Sequence, residues 1–400
     1  MIITKEYMKN YNRKIIFKSI WDNEGTSRFE LSKIVGLTPA GIGKIVNLLI
    51  EDNFIIEKLV PKKNSTKFAN ALFIDCTKRF SLIAYCHSKS VLLGIMDFKG
   101  NINMKESIPI DKNISIAKNY KSIQAIIGKN ISFLNEKNRI IEDIVFVVNG
   151  SVIDNKVIDK VFGAKHYYNE LIIDVQNTFD IETYVIECGD SYISNEIVFG
   201  NSTIENNIYY LNIDENVIHS MLVNGEFFHG YNNGAGSLNH IKIEENGLKC
   251  KCGKYGCFST SLSWKGLYRR YSEEINSSTE YDINSSLKDF LEDILWDDIY
   301  ERAIIGEIAA LNTVKSTGKL IGRGIAQVVD YLNPEIIFIS GLYSANNIMN
   351  IEINRELNKC SNHKNLQGVY IGEPKITKNK ELKGGLSYLL LKKYFNSLSQ

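Results

Sequence analysis

The sequence predicts an α/β protein: a winged helix-turn-helix followed by a body of two α/β lobes. Three observations predict it. Residues 12–57 carry three amphipathic helical patterns, followed by two short strand patterns around a lysine-rich tip. From about residue 80, strand-like and helix-like segments alternate, which suits α/β lobes around a cleft. Near the middle lies Cys250-Lys251-Cys252-Gly253-Lys254-Tyr255-Gly256-Cys257, with His240 upstream.

In the N-terminal segment, Ile16, Phe17, Ile20 and Trp21 give the first helix an apolar stripe. Ser27 with Glu30 three residues on forms a capping box for the second helix. Leu31, Ile34 and Val35 are its expected buried face, and Gly36 its left-handed stop. Thr38-Pro39 starts the third helix, with Thr as N-cap and Pro at the first position. Ile42, Ile45, Val46 and Leu49 fall at helical spacing and turn one face inward. Two helices joined by a short glycine-containing turn make a helix-turn-helix.

The candidate DNA-facing set is Thr38, Ala40, Gly41, Gly43, Lys44 and Asn47, with Lys62, Lys63 and Lys67 at the wing tip. Small residues permit close approach to a duplex. Lys44 suits guanine or phosphate, and Asn47 suits adenine. The wing lysines suit phosphates. Charge agrees with a nucleic-acid module. Residues 1–80 hold fourteen Lys/Arg against eight Asp/Glu, while the whole chain carries only +1. The competing reading of the module is a three-helix protein-interaction domain.

Three thiols and one imidazole within eighteen residues read as a closed Cys₃His site for structural Zn²⁺, with ligands His240, Cys250, Cys252 and Cys257. The other cysteines, Cys76, Cys86, Cys188 and Cys360, read as small buried hydrophobes. No run approaches the roughly 18 apolar residues of a membrane span. The N-terminus lacks a short apolar core with a small-residue cleavage site. The expected location is the cytoplasm, where thiols stay reduced.

The segment GAGSLNHIKIEENGLKCKCGKYGC resembles the signature of the ROK family (repressors, open reading frames and sugar kinases). Gly234, Ala235, Gly236, His240 and the three cysteines match it. Ser237, Asn239 and Ser259 stand where the family usually has Glu, Gly and Glu. LSKIVGLTPAGIGKIVNLLIEDNFI resembles the winged helix that precedes the sugar domain in the family's repressors, and YLNPEIIFISG its last strand. The resemblance implies an actin-like, ribonuclease H-like duplicated fold. The expected domains are a winged helix at 1–78 and a body at 79–400. Lobe one spans about 79–190 plus the C-terminal helix, and lobe two about 191–380. A long helix is expected at roughly 300–331.

Family kinases carry Asp-x-Gly-Gly-Thr-Lys in the first hairpin, where this chain has Tyr85-Cys86-His87-Ser88-Lys89-Ser90. Their second phosphate loop, Gly-Thr-Gly-Ile-Gly, aligns with Asp214-Glu215-Asn216-Val217-Ile218. Neither replacement offers glycines to approach a phosphate, and two carboxylates repel a triphosphate. Asp190 matches the position of the family's catalytic base. The resemblance implies a non-enzymatic regulator whose ligand set is Asp190, Ser237, His240 and Ser259, the same His240 being a metal ligand. The expected partners are double-stranded operator DNA, a small carbohydrate effector and a second copy in a homodimer or homotetramer, with no membrane. The alternatives are an active sugar kinase with a DNA-binding head, and a DNA-binding protein whose body only oligomerises.

Overall fold

The computed structural model describes residues 5–61, 68–87, 89–111, 113–153, 155–158, 167–200, 205–214, 216–231, 234–235, 238–278, 296–341, 347–375 and 378–395. The chain divides into two units, residues 1–199 with 378–400, and residues 200–377.

The first unit begins with helices α1 (Lys5–Asp22), α2 (Arg28–Val35) and α3 (Pro39–Glu51) and strands β1 (Ile55–Pro61) and β2 (Phe68–Ile74). Helix α1 starts seven residues before the expected 12. The local signals decide the rest. Ser27 and Glu30 form the reciprocal capping box, Gly36 adopts the left-handed conformation, and the Thr38 side chain caps α3. Ile16, Phe17 and Ile20 meet Leu31, Ile42, Val46 and Leu49 in a core where none exceeds 2% exposure. Each such side chain contributes about 1.5–3 kcal/mol on burial. Ile34 departs from expectation: it is exposed, and Ser32 takes the buried place, its hydroxyl donating to the Phe29 carbonyl. An eight-residue helix has only two turns to bury, and Leu31 already fills the inward position. β1 and β2 pair antiparallel from Ile55↔Ile74 to Pro61↔Phe68. The tip with Lys62, Lys63 and Lys67 lies outside the described residues.

An aromatic cluster welds this module to the rest of the first unit. Phe54 stacks on Phe98 at 5.6 Å between ring centroids, and Phe17 meets both edge-on at 6.0 Å. Tyr394 sits 5.0 Å from Phe98, and Trp21 lies 5.3 Å from Phe395 while its indole N–H donates to the Phe98 carbonyl at 3.0 Å.

Beyond the module come β3 (Arg79–Cys86), β4 (Ser90–Met96), β5 (Ile102–Pro109), α4 (Ile116–Glu136), β6 (Ile140–Val148), the small hairpin β7 (Ser151–Ile153) and β8 (Lys156–Ile158), α5 (Tyr167–Phe179), β9 (Glu182–Glu187) and α6 (Cys188–Val198). The sheet order is β5-β4-β3-β6-β9, with the first three strands antiparallel and the last two parallel. Ile123, Ile127 and Leu134 of α4 and Leu171 and Val175 of α5 share one buried cluster with the apolar residues of the sheet. The C-terminal helix (Lys380–Leu389) packs on the same unit through Gly384, where an added Cβ would lie 2.4 Å from the Ser191 carbonyl.

The second unit repeats this topology. β10 (Ile208–Ile213), β11 (Val217–Val223) and β12 (Glu226–Phe227) are antiparallel; β13 (Ile336–Gly341) and β14 (Tyr370–Gly372) add in parallel, giving β12-β11-β10-β13-β14. Asn224-Gly225, both with positive φ, close the β11–β12 hairpin. The duplicated arrangement implied by the resemblance is therefore explicit in the strand orders. The expected long helix is two: Trp296–Ile304 and Ile308–Leu332. Gly306, at φ +92, reverses the chain between them. Ile304, Ile305 and Ile308, which carry the apolar pattern across the break, are exposed. Cys86 and Cys188 are buried as expected and Cys76 half-buried, but Cys360 is exposed.

Candidate functional site

The candidate metal-ligating residues converge within the second unit. His240 ends a short 3₁₀ turn, Leu238–His240. The following segment returns antiparallel to the cysteine loop: Lys242 bridges Cys257, and the Phe258 N–H donates to Ile241 O at 2.8 Å. The loop folds as a knuckle. Cys250 N–H donates to Lys254 O at 2.7 Å, Gly253 N–H to Cys250 O at 2.9 Å, and Gly256 N–H to Leu248 O at 3.1 Å. Gly253 and Gly256 supply the left-handed turns, at φ +91 and +68. Gly256 also passes under the Glu244 carbonyl, leaving no room for a Cβ. Cys257 then starts the helix Phe258–Ser261, which sets Phe258 fully into the core.

The four donor atoms lie within 4.8 Å of one another. Cys250 Sγ is 3.4 Å from His240 Nδ1, and Cys252 Sγ is 3.6 Å from Cys257 Sγ. Metal–sulfur bonds of about 2.3 Å and metal–nitrogen bonds of about 2.0–2.1 Å in tetrahedral array put donors roughly 3.5–3.8 Å apart. The donor set and its spacing fit a divalent metal. Burial pushes the Cys257 thiol up to about 12, with Cys252 and Cys250 adding to the rise. Backbone hydrogen bonding from Lys254 lowers Cys252. A bound cation favours the thiolate in every case. Around the centre, Glu244 accepts from the Ser261 hydroxyl at 2.8 Å and from the Arg269 guanidinium, fixing the loop's underside.

Of the remaining sugar-set positions, Ser259 donates its hydroxyl to Asn239 O at 2.8 Å. Asn239 Oδ1, buried beside His240, has no hydrogen-bond partner among the described residues. Ser237 lies outside the described residues. Asp190, in the first unit, is buried in the first turn of α6. At the first kinase-loop position, where Ser88 lies outside the described residues, His87 N–H donates to Ser90 O at 2.9 Å, and Cys86 is buried at the end of β3. The second is the β10–β11 turn, closed by Asp214 N–H donating to Asn216 O at 3.2 Å.

In the N-terminal module, α2 and α3 meet at 113°, within the helix-turn-helix range. Ala40, Lys44 and Asn47 are exposed along α3, while Gly41 and Gly43 are half-buried. Thr38 spends its side-chain oxygen on capping, accepting from Gly41 N–H at 3.2 Å. Sequence reasoning misses Arg28. Its Nη1 donates to Asn47 Oδ1 at 2.8 Å, and its Nε and Nη2 donate to the two Glu57 carboxylate oxygens at 3.0 and 2.9 Å. No local pattern could have found it, because the partners lie 19 and 29 residues away.

Among the described residues no single helix is long and apolar enough to cross a membrane. The ROK family pattern matches residues 89–391. The chain is 22% identical over 346 residues to the xylose repressor of Bacillus spizizenii (strain ATCC 23059 / NRRL B-14472 / W23), covering 84% of each chain. It is 22% identical over 345 residues to the N-acetylglucosamine repressor of Escherichia coli O6:H1, covering 84% of this chain and 81% of that one. Among solved structures, a ROK family transcriptional regulator described as a homologue of the E. coli MLC protein superposes with TM-score 0.81, at 22% identity over 97% of each chain. A ROK family glucokinase from Streptomyces griseus in complex with glucose and AMPPNP gives TM-score 0.59 at 16% identity, over 77% of this chain and 98% of that one. The Cys₃His cluster, the twice-repeated sheet order and the match over residues 89–391 lead to one conclusion: the chain belongs to the ROK family.

Proposed function

We propose that this protein is a sugar-responsive transcriptional repressor. In this reading a winged helix reads operator DNA and a ROK body senses a carbohydrate without phosphorylating it. The observation that carries the proposal is the helix-turn-helix placed ahead of a ROK body, with Lys44 and Asn47 exposed on the second helix of the pair. The relatives named as repressors support it.

DNA affinity comes from phosphate contacts by Lys44 and by the wing lysines Lys62, Lys63 and Lys67; sequence preference comes from the face of α3. The domain division proposed is a winged helix at 1–78 and a body at 79–400, working as a homodimer or homotetramer in the cytoplasm. Paired recognition helices match pseudo-palindromic half-sites. His240, Cys250, Cys252 and Cys257 hold one Zn²⁺ that braces the loop. Asp190 in the first unit, and Ser237, His240 and Ser259 in the second, are the proposed effector-binding residues, and a hydroxyl donating to Asn239 Oδ1 would satisfy that buried oxygen.

The chain lacks the glycines that bring backbone donors onto a triphosphate at both loop positions. The proposed body therefore binds sugar without transferring phosphate. Fluorescence anisotropy with the gene's own upstream DNA tests the reading. Lys44→Ala should weaken binding, addition of the effector sugar should change it, and sugar-dependent ATP hydrolysis should stay at background. Unchanged DNA binding in both Lys44→Ala and Asn47→Ala would instead indicate a protein-interaction module. ATP turnover lost in Asp190→Asn would indicate an active kinase.

A further inference from the structure

The third helix presents Asn47 differently from the way its sequence suggests. An asparagine reads adenine by using both ends of its amide: Oδ1 accepts from N6–H while Nδ2 donates to N7. Here Oδ1 is turned to Arg28 Nη1, 2.8 Å away. A guanidinium has no acceptor, so the amide atom facing it is the oxygen, and the amide's other end carries only donors.

The guanidinium is itself held. Glu57 of β1 takes Nε–H and Nη2–H in a two-pronged pair at 3.0 and 2.9 Å, with Arg28 and Glu57 side chains only 32% and 21% exposed. Gly43, one turn before Asn47, lies beside it; an added Cβ there would rest in ordinary contact with Arg28 Nη1, at 4.0 Å. An adenine amino group approaching Asn47 Oδ1 would meet a positively charged donor edge. Guanine O6 and N7, both acceptors, would meet Asn47 Nδ2–H and the adjacent Arg28 Nη1–H.

We propose that Arg28 is a specificity-determining residue: it fixes Asn47 as a hydrogen-bond donor and forms with it a two-donor edge that selects guanine over adenine in the major groove. The inference rests on the DNA-reading role proposed above for α3. Lysine cannot replace Arg28, because a single ammonium cannot bridge a carboxylate and an amide in one plane.

The test uses the full-length protein and a pool of randomised duplexes. The position read by Asn47 is the one whose preference relaxes in Asn47→Ala. In the wild type that position should be guanine, and 7-deazaguanine there should weaken binding roughly tenfold, within the range of a lost base contact. Arg28→Met, and independently Arg28→Lys if the first variant is unstable, should lose the guanine preference and gain adenine. The inference is overturned if the wild type selects adenine at the Asn47-dependent position, if no position depends on Asn47, or if folded Arg28 variants keep the guanine preference. In those three cases selection of a defined sequence leaves the DNA-reading role standing. A wild type that enriches no sequence at all removes that role and the inference together.

Discussion

Gly256 gives a way to damage the proposed metal centre without touching a proposed ligand. An added Cβ would lie 1.7 Å from the Glu244 carbonyl oxygen. Van der Waals contact requires about 3 Å or more, so Gly256→Ala must move the backbone by roughly 1 Å or more. The φ of +68 adds about 1–2 kcal/mol of strain for a residue with a Cβ. The displaced carbonyl of Gly256 also accepts from Ile243 and Glu244 N–H, at 2.9 and 3.3 Å. Weakening these bonds costs on the order of 1 kcal/mol each. Together these effects amount to about 2–4 kcal/mol, or roughly a hundredfold in metal affinity. The shift is passed directly to Cys257, where ligand positions tolerate only about 0.2 Å. Gly253→Ala is the matched control: it has φ +91 but nothing within 4 Å of the new Cβ. Strain alone predicts a loss of roughly tenfold. The assay is zinc competition between the full-length protein and chelators of graded affinity. Gly256→Ala holding zinc within about threefold of wild type, or Gly253→Ala proving the worse variant, would refute the reasoning.

Cys252→Ser should lower the zinc content from about one per chain to near zero, read by elemental analysis of protein prepared without chelators. Asp143 is fully buried, and burial pushes its carboxyl from the ordinary 3.8 up to about 6 although Lys393 and Tyr394 pull it down. The folded chain then binds the proton more tightly than the unfolded one, so this group's contribution falls as pH rises from about 4 through 6. Relative to Asp143→Asn, the wild type should therefore be more stable at about pH 4.5 than at about pH 7.5, by about 2 kcal/mol in urea titrations. A difference that is flat with pH, or of opposite sign, rejects this assignment. Phe17→Ala should destabilise the first unit by about 3–5 kcal/mol, because it empties a site enclosed by Phe54, Phe98, Tyr394 and Phe395. Thermal melts reporting a shift under about 1 kcal/mol would mean that the aromatic cluster collapses around the gap.

Features set by neighbours along the chain are legible in the residues themselves. The capping box of Ser27 and Glu30, the Gly36 stop and the Thr38-Pro39 start each depend on residues within one turn, and each forms as read. The candidate metal centre is nearly as local: eighteen residues contain all four donor residues, and glycine turns close the loop on itself. Apolar periodicity is a poorer guide where the core is already filled. Ile34 continues the stripe of α2 yet faces outward because Leu31 takes the inward place. Ile304, Ile305 and Ile308 extend a helical pattern across Gly306, where the helix stops. The repeated sheet order is invisible to local patterns because pairings such as Tyr209↔Ile337 join strands more than a hundred residues apart.

The helix proposed to face DNA shows the same limit in its chemistry. Its position and its inward stripe follow from Ile42, Val46 and Leu49, so the sequence identifies which residues are available to a duplex. What Asn47 offers that duplex is set elsewhere, by an arginine on the preceding helix and a glutamate on the wing strand. An amide carries a donor and an acceptor at opposite ends, and only its neighbours decide which end is presented. A lysine has no such ambiguity, so the proposed role of Lys44 needs only its exposed place on the helix. Readers of base sequence built on Asn or Gln therefore need their surrounding hydrogen bonds traced before a base is assigned to them.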